Sequence, residues 1–114
     1  MDQSPQDKTQ TPTELSPEMG GHWEVDTGNS VHVWDLDVMT YTRLPGPTAG
    51  PLAYDRLEMP ITRVEIWPSV GRRFFLWFDD PVDPLMEQWR ASSTVATITP
   101  AAVTATDTPE TPEA

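Results

Sequence analysis

His22-Trp23-Glu24-Val25-Asp26-Thr27-Gly28-Asn29-Ser30-Val31-His32-Val33-Trp34-Asp35 is the stretch that decides the fold. Residues 22–27 alternate with the period of two that a half-buried strand requires. Gly28-Asn29 supplies the positive φ of a tight hairpin, and residues 30–35 alternate again. Antiparallel counting across that loop sets Thr27 against Ser30, Val25 against His32 and Trp23 against Trp34, so one face collects Trp23, Val25, His32 and Trp34. The alternation resumes from Val38 to Leu44. A turn at Leu36-Asp37 puts Met39 opposite Trp34 and Tyr41 opposite His32, which extends the same face. Glu24, Asp26, Val31, Val33, Thr40 and Thr42 make a mixed opposite face.

Leu44-Pro45-Gly46-Pro47-Thr48-Ala49-Gly50-Pro51 ends this meander, because its prolines cannot donate to a ladder. The loop that follows, to about Glu58, is expected to be the mobile element of the domain, as a binding loop or as a disordered insertion. Ile61 to Trp67 and Arg72 to Asp79 read as a second hairpin around Pro68-Ser69-Val70-Gly71, with Gly71 left-handed. The second of these strands is apolar on both sides, with Phe74, Leu76 and Phe78 on one and Phe75 and Trp77 on the other. It must be covered on both faces or meet a partner. Asp83-Pro84 carries the signature of a helix start, which predicts a short helix to Arg90 with Leu85 and Trp89 on one face. Ser93 to Ile98 offers a closing strand.

Every Trp, Phe, Tyr and His of the 114 residues lies between 21 and 98. Residues 1–20 and 99–114 are rich in Ser, Thr, Pro, Gln, Glu and Ala, which cannot recover the entropy of ordering. The expected organisation is a disordered arm over 1–20, a small β domain over 21–98 and a disordered tail over 99–114. The net charge of −11 falls about equally on the flanks and on the middle. Such acidity disfavours direct contact with nucleic acid or an anionic membrane. The absence of cysteine excludes disulfides and thiolate zinc sites. No signal-peptide pattern and no long apolar run occur, so the expectation is a cytoplasmic protein.

Candidate chemistry is sparse. Strand counting brings His22 opposite Asp35, but His22, His32, Asp35 and Asp37 follow no metal-ligand spacing. Asp79, Asp80, Asp83 and Glu87 lack the glycine and regular ligands of a calcium loop. There is no nucleophile elbow, phosphate loop or HExxH motif. No catalytic residue, cofactor or metal is therefore assigned. Arg72-Arg73 beside Phe74-Phe75 is too small to be a basic stripe.

The segments His22 to Ser30, Val33 to Asp37, Thr42 to Gly46, Val70-Gly71 and Arg90 to Ile98 together resemble small β-rich proteins of actinobacteria and their phages. The resemblance covers 21–98 and implies a domain type, an accessory phage or prophage product located in the host cytoplasm. It brings no activity with it.

The expected fold is mainly β, a small antiparallel sheet or partly open barrel of five to six strands with one short helix. The expected function is non-catalytic. The domain would bind a protein partner, or itself, through exposed aromatics at Trp34, Tyr41, Trp67 and Trp77. An acidic inhibitor that imitates nucleic acid is the alternative reading, and a small enzyme the third.

Overall fold

The computed structural model describes residues 12–101. Strands β1 (His22–Asp26) and β2 (Ser30–Asp35) form the hairpin the sequence predicts, with Trp23 facing Trp34 and Val25 facing His32. Gly28 adopts a φ of 87°, and its N–H donates to Asp26 Oδ1 at 2.7 Å. Strand β3 (Thr40–Pro45) then pairs two residues out of the counted register, with Trp34 facing Tyr41 and His32 facing Arg43. The cause is local. Asp35 Oδ1 accepts from the N–H groups of Asp37 (3.0 Å) and Val38 (3.3 Å), which wraps 36–39 into the loop, and Met39 closes it at a φ of 58°. A slip of two leaves every side chain on its face. Tyr41 therefore points inward as expected, and Arg43 joins it on the buried side.

Strand β4 (Met59–Ile66) pairs with β3 through Met59 and Pro60 and with β5 (Phe75–Asp79) from Ile61 onward. Register shifts between Ile61 and Arg63 and between Val64 and Ile66 interrupt it, and such bulges bend a strand and increase its twist. Strand β6 (Glu87–Ala91) pairs with β5, and β7 (Thr97–Pro100) with β1. The result is one open antiparallel sheet of seven strands in the order β6-β5-β4-β3-β2-β1-β7. The short link over 92–96 joins the two edge strands. It hydrogen-bonds to Phe74 and Arg72 on one side and, through Ala96 N–H to Asp26 O at 2.7 Å, to the end of β1 on the other. The sheet thus coils back on itself around Val25, Trp34, Tyr41, Met59, Phe74, Leu76, Phe78, Val95 and Ile98.

Four expectations are corrected. There are seven strands rather than five or six, and no helix among the described residues. The helix signature at Asp83-Pro84 is spent on a single turn, in which Asp83 Oδ1 accepts from Leu85 N–H at 3.2 Å and Asp83 O from Met86 N–H at 2.9 Å. So short a helix has little stability of its own. Residues 87–91 instead cover the open edge of the two-faced strand β5. The 1–20 arm also loses its inner part. Leu15 is only 1% exposed and sits in the core, with Leu15 N–H donating to Pro68 O at 2.9 Å and Val70 N–H donating to Thr13 O at 2.8 Å. At the other end Thr99 and Pro100, assigned to the tail, belong to β7. The remainder of the expected arm and tail, 1–11 and 102–114, lies outside the described residues. No helix among the described residues is long and apolar enough to cross a membrane.

Leu15→Ala should lower stability by about 2 to 5 kcal/mol, the range for a buried leucine truncated to alanine. Urea denaturation of the full chain measures it. A change within about 0.5 kcal/mol, typical of a surface position, would detach Leu15 from the core.

Candidate functional site

The four aromatics expected to meet a partner separate into two groups. Trp34 and Tyr41 are core residues, 0% and 2% exposed, and offer no surface. Trp34 rests edge-on to Phe74 (5.2 Å between ring centroids) and Tyr41 (6.1 Å), and its indole N–H is buried without an acceptor among the described residues. Trp67 is partly buried against Trp34 at 5.6 Å. Only Trp77 lies on an outward face. Burial of the first two was not readable from alternation, because the face they share is closed by Phe74 from the far half of the sheet.

The outward face of β4, β5 and β6 carries the exposed aromatic surface. Alternation along β5 sends Leu76 and Phe78 into the core and Phe75 and Trp77 out. Pairing of Trp77 with Trp89 and of Phe75 with Ala91 places Trp89 on the same outer side. Phe75 and Trp89 stack at 5.5 Å with 16° between their planes, and Phe75 meets Trp77 at 5.7 Å. The Arg63 guanidinium lies 4.6 Å from the Trp77 ring centroid. Glu65 Oε2 accepts from Arg63 Nε (3.1 Å) and Trp77 Nε1 (3.2 Å), which fixes both rotamers. Trp89 remains 55% exposed, with Ile66 at the margin and Val82, Leu85 and Met86 exposed in the loop that precedes β6. Sequence reasoning set Phe75 beside Trp77 on a face to be covered or to meet a partner, and missed Trp89 there because the helix assigned to 83–90 hid the strand pairing that unites them.

The His22 expectation holds in geometry. His22 Nε2 is 2.8 Å from Asp35 Oδ2 and 3.9 Å from Asp37 Oδ2, and ligand atoms of the three residues lie within 4.8 Å of one another. Both carboxylates are already engaged, Asp35 in the β2–β3 turn and Asp37 Oδ1 on Gly21 N–H at 2.8 Å. The cluster serves as a clasp between the start of β1 and that turn. His32 lies elsewhere, in the core.

His32 and Arg43 lead into a second polar region. His32 Nδ1 is 2.8 Å from Tyr41 Oη, and the ring meets Phe74 edge-on at 4.9 Å. Burial pulls the imidazole down from 6.5 to about 4, and Arg43 and Arg90 push the same way against the weaker opposition of Asp26 and Asp55. Burial likewise raises the Tyr41 hydroxyl above its ordinary range, opposed by Arg90 and Arg43. The loop expected to be mobile is anchored here. Arg43 Nη1 donates to both Asp55 oxygens (2.8 and 2.7 Å) and Nη2 to Gly50 O at 3.0 Å. The Tyr54 hydroxyl donates to Asp80 at 3.0 Å.

Comparison with known proteins finds no matching family model, no matching curated protein and no matching solved structure.

The folded protein holds His32 neutral down to about pH 4, whereas the unfolded chain protonates it near 6.5. Between those values the unfolded state binds the extra proton, so this contribution is complete above pH 6.5 and is lost as pH falls toward 4. The full amplitude is roughly 3 kcal/mol. Urea midpoints from neutral pH down to about 4.5 should fall more steeply for the native sequence than for His32→Gln. Parallel curves would show that His32 does not titrate in this window.

Proposed function

We propose that the chain is a non-catalytic protein-binding module whose docking surface is the outer aromatic face of β4, β5 and β6. The observation that carries this reading is Trp89, more than half exposed and stacked on Phe75, on a sheet face that also presents Trp77 and Arg63. Trp and Arg dominate interface hot spots because a large rigid side chain loses little entropy when an apolar pocket closes over it. The exposed Val82, Leu85 and Met86 extend the apolar contact at one end of the strands.

Charge chooses the occupant. Glu65 bonds Trp77 on this face, Asp79 and Glu87 pair at the end of its β5–β6 ladder, and the chain carries −11. Two copies would bring like charges together, so the partner is a different protein with an apolar centre and Lys or Arg at its margin. The setting, an accessory product of a phage or prophage, rests only on the resemblance of residues 21–98.

Trp89→Ser should cost no more than about 1.5 kcal/mol of stability, the worth of the lost stack, and sharply weaken stoichiometric capture of one host protein by the immobilised full chain. A weakening of about 30-fold or more is expected for a hot-spot residue. Light scattering should show a monomer. Equal capture by the variant removes the proposal, and a concentration-dependent dimer lost in Trp89→Ser reassigns the face to a second copy.

A further inference from the structure

Beneath β6, on the side away from Trp89, the coiled sheet forms a half-open polar cleft of about 340 Å³. Its lining includes Ser30, His32, Arg43, Gly50, Arg90 and Ser93. That volume is in the range of small-molecule sites. Its two guanidinium groups differ in their company. Arg43 is neutralised by Asp55, with its remaining donor contact on Gly50 O. Arg90 donates to Ala53 O through Nη2, its Nε is buried without a partner among the described residues, and its guanidinium carbon lies 5.4 Å from the Phe78 ring centroid. Among the described residues no carboxylate lies within ion-pair distance of it.

The wall of the cleft therefore carries one guanidinium with no carboxylate in direct contact among the described residues, its charge met only at longer range by Asp55, with the Tyr41 hydroxyl among its neighbours. A partly buried guanidinium without a contacting counter-ion is under-compensated, and an anion entering the cleft supplies that contact. The other wall groups suit the same guest. With Nδ1 directed at Tyr41, His32 has Nε2 left for the cleft, and the Ser30 and Ser93 hydroxyls offer rotatable donors. The loop wall is held in shape at a cost. Tyr54 and Arg56, on either side of Asp55, have φ values of 66° and 70°, a left-handed geometry that side chains resist. The Arg43–Asp55 and Tyr54–Asp80 contacts maintain it. Strained backbone of this kind clusters at ligand sites.

We infer that this cleft is a binding site for a small-molecule oxyanion, a carboxylate or phosphate head seated against Arg90 with Ser30, Ser93 and His32 around it. The planar fork of Arg90 fits either head through paired N–H donors. The site is independent of the outer aromatic face, since Trp89 and Arg90 project to opposite sides of β6.

Thermal unfolding of the full chain in inorganic phosphate or in acetate, each at about 50 mM against chloride at matched ionic strength, tests it. A rise in Tm of about 5 °C in one or both is expected for the native sequence and for Trp89→Ser, with little rise for Arg90→Gln. The acetate and phosphate arms separate a carboxylate guest from a phosphate guest. Because Arg90→Gln also removes the Ala53 and Phe78 contacts, the Arg90 Nε–H resonance of the native protein gives a second reading and should move saturably with the effective anion. An identical Tm rise in Arg90→Gln, or an Arg90 resonance that neither anion moves, overturns the inference.

Discussion

Phe74 is the residue through which the two halves of the sheet hold each other. It precedes β5, yet its ring lies 4.9 Å from His32, 5.2 Å from Trp34 and 5.9 Å from Tyr41, all on β2 and β3. The contacts are edge-on or nearly so, the arrangement in which ring quadrupoles attract. Without this insertion the inward faces of β2 and β5 would each be an exposed apolar surface. With it, a single twisted sheet becomes two facing layers with one core. Phe74 N–H donates to Ser92 Oγ at 2.9 Å, so the link between the edge strands is fastened at the same residue that closes the core.

What could be read from the sequence was what depends on neighbours along the chain. Gly28-Asn29 specified a two-residue loop, and a two-residue loop fixes register, so Trp23 opposite Trp34 followed directly. The inward set Phe74, Leu76 and Phe78 followed equally from period two. The β2–β3 pairing was displaced by two because the Asp35 carboxylate, rather than a glycine, organises the turn, and a side-chain turn has no fixed length. Faces survive such a displacement, which is why Tyr41 was placed on the correct side and in the wrong pair.

What could not be read depends on distant segments. Trp34 and Tyr41 looked available because a lone meander has one apolar face and nothing to cover it; the cover is Phe74, some thirty or forty residues away in sequence. Leu15 looked like part of a polar arm because one leucine among Ser, Pro and Glu gives no periodic signal, yet one leucine is enough to plug the end of a small core. The reading of 83–90 as a helix weighed capping chemistry correctly and lost to a tertiary demand. Strand β5 is apolar on both faces and has an open edge, and the chain that follows it gains more by pairing with that edge than by closing a helical turn or two.

The same demand places both surfaces of interest on one strand. Period two sends Trp89 outward and Arg90 inward, and a register shift of one residue would exchange them. That register is set from outside the strand, at Asp80. Its carboxylate accepts from Val82 N–H (2.8 Å), Asp83 N–H (3.1 Å), the Tyr54 hydroxyl (3.0 Å) and Gln88 Nε2 (2.8 Å). Hydrogen bonds of this kind, the Val82 amide foremost, hold its carboxyl below the usual carboxylate range, so it is ionised and accepts all four. Asp80 thus fixes the length of the β5–β6 turn, the docking of the 46–58 loop and the orientation of Gln88 together. One carboxylate in a turn decides that an indole faces out and a guanidinium faces in, and two chemically different surfaces stand back to back on adjacent residues.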